Sequence, residues 1–297
     1  MFEQISENKF KSGLLVFCFI VLVFGLVWLL QYLLGLGTAG FVAALLVASL
    51  SAFISYWASD KIVLTISRAR PATKEEFPYL HNVVEGLSIA AGIRVPRCYV
   101  IEDTAPNAFA TGRNPKNSVI CVTTGLLQKL NRVELEGVIG HEMSHIKNYD
   151  ILLQTLVVVM VGMVALLSDW IMRGMFWGGG RRRSSRDKGG SLGGILLIVG
   201  LVLAILSPII SQLVRLAISR RREFLADASS AQLTRYPAGL ASALKKLAAD
   251  TEPLEAANKA TAHLYIVNPL KDIRGFVNKL FSTHPPIEER IAALEKM

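Results

Sequence analysis

The residues best suited to chemistry sit together in Val138-Ile139-Gly140-His141-Glu142-Met143-Ser144-His145, where two histidines stand four positions apart and a glutamate follows the first. The surrounding run is apolar and favours a helix, and on a helix positions i and i+4 share one face, a turn apart. Both imidazoles can therefore reach one metal ion. Glu142 projects beside that ion rather than onto it, which is the arrangement of a zinc site with an adjacent general base. Leu135, Val138, Ile139 and Ile146 supply the apolar stripe that would seat such a helix in a core. Two histidines do not complete a catalytic zinc site, so a third protein ligand must come from elsewhere in the chain.

A candidate stands in Arg222-Glu223-Phe224-Leu225-Ala226-Asp227. Taken alone, this is a charged, solvated helix face. Beside an unfinished pair of histidines it reads differently. Glu223 offers an oxygen ligand, and Asp227, one turn on, is placed to accept a hydrogen bond from the far ring N–H of a ligating histidine and so fix its tautomer. Other polar residues carry weaker signals. Asn107 opens Asn107–Gly112, read either as an edge strand that binds substrate backbone or as an ordinary strand. His284, before Pro285-Pro286, is read as a substrate or oxyanion contact or as a helix-entry residue. Asp150, just past the motif helix, is expected to cap it or face solvent, with a role in the site as the alternative reading. His81 and His263 have no partner by spacing and are taken as structural or surface residues.

H-E-x-x-H followed by E-x-x-x-D, with apolar runs around and between them, resembles the M48 zinc metalloproteases. Pro106-Asn107-Ala108-Phe109-Ala110-Thr111-Gly112, Phe281-Ser282-Thr283-His284-Pro285-Pro286 and Glu289-Arg290-Ile291 extend the resemblance over nearly the whole chain. It implies one zinc ion per chain, a multi-pass protein of the bacterial inner membrane, and an active site facing the cytoplasm. It also implies polypeptide substrates, above all misfolded or damaged membrane proteins, in quality control under stress. His141, His145 and Glu223 would be the metal ligands, Glu142 the catalytic base and Asp227 its supporting carboxylate. Two other readings stay open. A prenyl-protein-type endopeptidase of the same superfamily would be expected to carry more spans. A non-enzymatic membrane scaffold with a structural zinc would need four protein ligands, where three are evident.

The elements that must position these residues are legible in outline. Of 297 residues, 52% are hydrophobic, which is too apolar for an ordinary soluble protein and points to membrane spans. Uncharged runs cover Leu14 to Leu34 and Ala39 to Ala58, with Trp28, Tyr32, Tyr56 and Trp57 as interfacial anchors. Their flanks, Lys9, Lys11, Lys61, Arg68, Arg70 and Lys74, place both ends of this hairpin in the cytoplasm. No cleavable leader pattern is seen, so the first run is read as a retained anchor. Further runs, 151–168 and 195–214, are about bilayer-long, but the loop between them carries Arg173, Arg181, Arg182, Arg183, Arg186 and Lys188, against the positive-inside trend. Crossing is favoured here on span length.

Between the two pairs of runs lies an α/β segment. It is expected to hold a helix over 72–91, strands at 97–101, 107–112 and 118–123, and a helix that carries the motif. The fold expected is α+β, mainly α. About four transmembrane helices would accompany a cytoplasmic zincin-type domain with a small sheet. The chain divides into 1–58 (hairpin), 59–150 (first protease part), 151–214 (second transmembrane pair) and 215–297 (second protease part). A net charge of +9 fits cytoplasmic flanks on anionic lipid, and no nucleic-acid-binding module is visible. Cys18, Cys98 and Cys121 lack the spacing of a disulfide framework or a thiolate metal site.

Overall fold

The computed structural model describes residues 2–34, 37–161, 219–258, 261–269 and 285–297, with the backbone alone for parts of the first two helices. The first two apolar runs are helical, as α1 (Phe2–Leu34) and α2 (Gly37–Trp57). Helix α1 starts well before the apolar run. Its polar opening, Glu3 to Lys11, consists largely of residues that tolerate a helix, with no proline to stop it. Among the residues described with their side chains, no helix is long and apolar enough to cross a membrane. The fourth apolar run and the end of the third, 162–168, lie outside the described residues.

Helix α3 (Ser59–Ile66) leads into β1 (Arg70–Pro71). The next helix, α4 (Pro78–Ala91), starts six residues later than its periodicity suggests. Pro78 sits in its first turn, where a missing N–H costs nothing, and Thr73–Phe77 before it form a turn that leads from the sheet, closed by the Phe77 N–H on the Thr73 carbonyl. Arg70 pairs with Val100, and the Ala72 N–H bonds to the Cys98 carbonyl at 3.0 Å. Gly92 ends α4 in the left-handed conformation, φ 67°, which glycine adopts without strain.

Strands β2 (Arg97–Ile101), β3 (Ala108–Asn114) and β4 (Asn117–Thr123) complete a four-stranded sheet of order β1-β2-β4-β3. The β2/β4 pair is parallel and the other two pairs are antiparallel. Strand β3 is therefore an edge. After the short α5 (Thr124–Lys129) comes the motif helix α6 (Arg132–Lys147). A reciprocal box fixes its start: the Glu134 N–H donates to Asn131 Oδ1 at 3.1 Å, and the Asn131 N–H donates to Glu134 Oε2 at 2.8 Å. A helix over 150–161, here α7, follows at once. The chain is picked up again in α8 (Arg220–Thr234), α9 (Pro237–Ala249), a 3-10 turn (Ala262–Leu264) and α10 (Ile287–Leu294).

Helix α6 runs through the core. Leu135, Val138, Ile139, Met143 and Ile146 are buried with Val100, Ala108, Ala110, Ile120 and Val122 of the sheet, Leu80 and Val84 of α4, and Leu240 and Leu244 of α9. Two glycines let its neighbours come close. A Cβ on Gly137 would lie 2.7 Å from the Leu240 nitrogen, and one on Gly140 would lie 2.8 Å from Ser230 Oγ. The Ser230 hydroxyl uses this closeness to donate to the Gly137 carbonyl at 2.6 Å. The helix bearing the histidines and the helix bearing Glu223 are thus held together by near-backbone contact.

Candidate metal centre

Helix α6 presents His141 and His145 on one face, and α8 brings Glu223 opposite them. All three are buried, and their nearest donor atoms converge. His141 Nε2 and His145 Nε2 are 3.1 Å apart. Glu223 Oε2 lies 3.6 Å from the first and Oε1 lies 3.6 Å from the second. A tetrahedral zinc with bonds of about 2.0–2.1 Å would set donor-to-donor edges of roughly 3.3–3.4 Å. The three edges straddle that value, so the donor set fits a small divalent ion in both chemistry and size.

Each histidine is oriented from behind by a carboxylate. His141 Nδ1 lies 2.9 Å from Asp227 Oδ1, and His145 Nδ1 lies 2.9 Å from Asp150 Oδ2. With the Nδ1 protons directed at these acids, both Nε2 atoms face the shared point. In the protein alone, burial keeps His141 below the ordinary histidine range. Burial also works against charge on His145, but the Asp150 hydrogen bond and the nearby Glu223, Asp150 and Glu142 outweigh it and raise that pKa to about 9. The 3.1 Å contact between the two Nε2 atoms leaves room for one shared proton. A metal ion would take that proton's place, as expected where metal uptake releases protons.

Glu142 lies beside this point. Burial lifts its carboxyl to about 7, partly offset by His145. Its Oε1 is buried with no hydrogen-bond partner. A carboxyl poised near neutrality, with an unused oxygen facing a metal site, can take up and release a proton during a reaction.

Two residues of the site are not evident from sequence. Asp150 was expected to cap α6 or face solvent; instead it is buried and bonded to His145. Tyr149 is the cause. Its left-handed backbone, φ 62°, turns the chain back so that Asp150 lies under the ring. The other is Arg290 of α10, the largest fully buried side chain among the described residues. It grips Asp227 with two bonds, Nε to Oδ2 at 2.8 Å and Nη2 to Oδ1 at 2.6 Å, and its Nη1 donates to the Ile266 carbonyl at 3.0 Å. Burial alone would raise the Asp227 pKa; the guanidinium instead holds it down to about 2. No sequence rule marks Arg290, although its position in Glu289-Arg290-Ile291 belongs to the resemblance.

The remaining candidates behave variously. Asn107 is buried with its side chain spent internally. Its Nδ2 donates to the Val267 carbonyl at 2.9 Å, and its Oδ1 accepts from the Ala108 N–H at 3.1 Å. The Asn107 side chain thus braces the 265–267 segment. His284 lies outside the described residues. His81 bonds to the Ala72 carbonyl at 2.8 Å, and buried His263 lies 3.3 Å from the Gln154 carbonyl, both structural positions.

Because Asp150 and Asp227 hold equivalent places behind the two histidines, either change to alanine is expected to weaken zinc binding by about 10–100-fold. Competition with a chromogenic chelator would read this. Asp227→Ala should in addition lower the melting temperature, since it leaves the Arg290 charge buried without its partner. An effect of Asp227→Ala alone on zinc would remove Asp150 from the site.

Comparison with known proteins agrees with this geometry. A family profile described as "Peptidase family M48" matches residues 74–297. The chain is 51% identical to a protease HtpX homolog of Dictyoglomus turgidum over 296 residues, covering 100% of this chain and 94% of the relative. It is 44% identical to a protease HtpX homolog of Tropheryma whipplei, covering 100% of this chain and 98% of that one. Among solved structures it is similar in fold to Ste24p of S. mikatae, with a TM-score of 0.50 at 18% identity; the match covers 99% of this chain and 66% of Ste24p.

Proposed function

Since the chain belongs to peptidase family M48 and is a metalloprotease, we propose that it is a zinc-dependent endopeptidase. In this reading it is anchored in the bacterial inner membrane, cuts misfolded or damaged membrane proteins and contributes to quality control under stress. The observation that carries the reading is the buried cluster of His141, His145 and Glu223 beside the raised Glu142 carboxyl. His141, His145 and Glu223 would hold the ion. Zinc there would supply Lewis acidity, polarising a peptide carbonyl and making water acidic enough to react near neutral pH. Glu142 takes the proton from the attacking water on its free oxygen and delivers it to the leaving amine. Asp227 and Asp150 keep the two imidazoles aimed, and Arg290 keeps Asp227 charged.

Strand β3 is the natural partner for a substrate backbone. Asn107 bonds towards β4, so the backbone groups of Ala108, Ala110 and Gly112 turn away from it, to the outer edge, which is buried in the structure. Ile266 takes the Ala108 carbonyl at 3.0 Å, and Thr155 takes the Gly112 N–H at 3.3 Å. Between them, the Ala110 N–H donates to the Glu142 carboxylate, a bond that a pairing peptide would displace. A peptide pairing there would bring its scissile bond to the metal.

Membrane anchoring draws support from the exposed apolar band on α1 and α2. Phe17, Ile20, Val21, Phe24 and Trp28 are exposed on the first helix, and Leu46, Leu50 and Phe53 on the second. We place both ends of this hairpin in the cytoplasm and read 151–168 and 195–214 as two further crossings. Helix α7 supports the third span, since its Leu152, Leu153, Leu156, Val157 and Met160 pack with Leu15 of α1 and carry the chain away beside it. A cysteine at Ser185, in a chain lacking the three native cysteines, should react with an impermeant thiol reagent in intact cells. Labelling that requires broken cells would mean the runs do not cross.

The prenyl-protein-type alternative has less support, because the relatives that match over nearly their full length carry the HtpX name and the likeness to Ste24p is one of fold. The purified full-length protein in detergent should degrade an unfolded protein, stop when a chelator removes its metal, and recover with added zinc. Undiminished cleavage after complete metal removal would overturn the proposal.

A further inference from the structure

The link between α6 and α7 is too short and too strained to hold itself. Tyr149, with φ 62°, occupies backbone space that a bulky side chain rarely enters and that persists only where the surroundings enforce it. The enforcing contacts come from the opening of α1, some 140 residues away in sequence. Asn8 is 2% exposed. Its Nδ2 donates to the Asn148 carbonyl at 2.8 Å and to Asp150 Oδ1 at 2.7 Å. Its Oδ1 accepts from Arg222 Nη1 at 2.9 Å. Arg222 immediately precedes Glu223 and also lies 3.5 Å from Asp150 Oδ1. Beside them, Lys9 Nζ stands 4.4 Å over the Tyr149 ring. One amide thus closes a loop through three segments: the start of α1, the turn that carries Asp150 and the helix that carries Glu223.

A buried asparagine could serve packing alone. Here the packing is provided separately, about two turns further along α1, where Leu15 and Val16 meet Leu152, Leu156 and Val157. Two of the three side-chain bonds of Asn8 instead end one step from a ligand, at Asp150 behind His145 and at Arg222 next to Glu223. Asp150 carries the other oxygen, Oδ2, to His145, so a carboxylate free to rotate would release that ring. We propose that Asn8 is a positioning residue of the metal centre: by fixing the Asp150 carboxylate and Arg222, the docked end of α1 holds His145 and Glu223 in ligand geometry. The inference rests on the reading of this cluster as a metal site. It makes the membrane anchor a structural part of that site, and the soluble remainder incomplete without it.

The test uses the full-length protein in detergent. Zinc affinity is measured by competition with a chromogenic chelator, and ligand geometry by the visible spectrum of the cobalt-loaded protein. Asn8→Ala should weaken zinc binding about tenfold or more, within the range of changes one step behind a ligand, and alter the cobalt bands. Asn8→Asp keeps the size and still accepts from Arg222 but cannot donate to Asp150, so it should weaken zinc as well; it serves if the alanine variant does not fold. Lys11→Ala, exposed on the same helix, should match the parent protein. In an Asp150→Ala background, Asn8→Ala should add little. Parent-like affinity and spectrum in the Asn8 variants, or full additivity with Asp150→Ala, would overturn the proposal alone. A parent protein that binds no zinc would overturn the metal reading along with it.

Discussion

Replacing Glu142 with glutamine is expected to leave zinc bound and to cut peptide hydrolysis by about 10²–10⁴-fold, the range that a positioned general base supplies. Three observations set this expectation. Glu142 is absent from the converging donor set, so the amide removes no ligand. Burial raises its carboxyl to about 7, a value suited to accepting a proton and giving it back, and glutamine can do neither. The side chain is buried, and the substitution keeps its shape, so the fold should survive. Zinc content by metal analysis and cleavage of an unfolded protein, measured on one preparation, decide the matter. A variant that loses zinc while its fold persists would make Glu142 a ligand; one that cleaves normally would move the base elsewhere.

Glu223→Ala is expected to act in the opposite sense, on the metal first. It removes the oxygen donor that lies 3.6 Å from each Nε2 and leaves two nitrogens on one helix. Zinc affinity should fall by clearly more than the about 10–100-fold expected for either supporting aspartate, and proteolysis should fall with occupancy. High zinc should restore part of the activity in an Asp150 or Asp227 variant and little in the Glu223 variant, whose ion would lack a ligand even when bound. Small and equal losses for Glu223 and Asp227 would place the third ligand elsewhere. The comparison is sharp because both residues lie on α8, one turn apart and similarly buried.

What could be read in the sequence follows a physical division. His141, Glu142, His145, Glu223 and Asp227 obey helical spacing, which is local and therefore visible. Strand β2 was legible because Arg97 to Ile101 is a short β-rich run between breaks, and β4 because its branched residues stand together. The start of α4 was misplaced because the residues from Ala72 to Glu76 tolerate a helix, and only tertiary pairing of Ala72 with Cys98 draws that residue to the sheet. Asp150, Asn8 and Arg290 were out of reach for the same reason. Asp150 owes its place to one left-handed residue, and the other two meet the site across long stretches of chain with no period to betray them.

The burial of Arg290 against Asp227 and His141 also concerns time. Arg290 lies 149 residues beyond His141. At synthesis rates of about 5–20 residues per second, the second half of the centre trails the histidine helix by roughly 7–30 s. During that interval His141 has no braced aspartate behind it, and the newly made chain holds a motif but not a working centre. The centre is therefore complete only once Arg290 has been made and packed against Asp227.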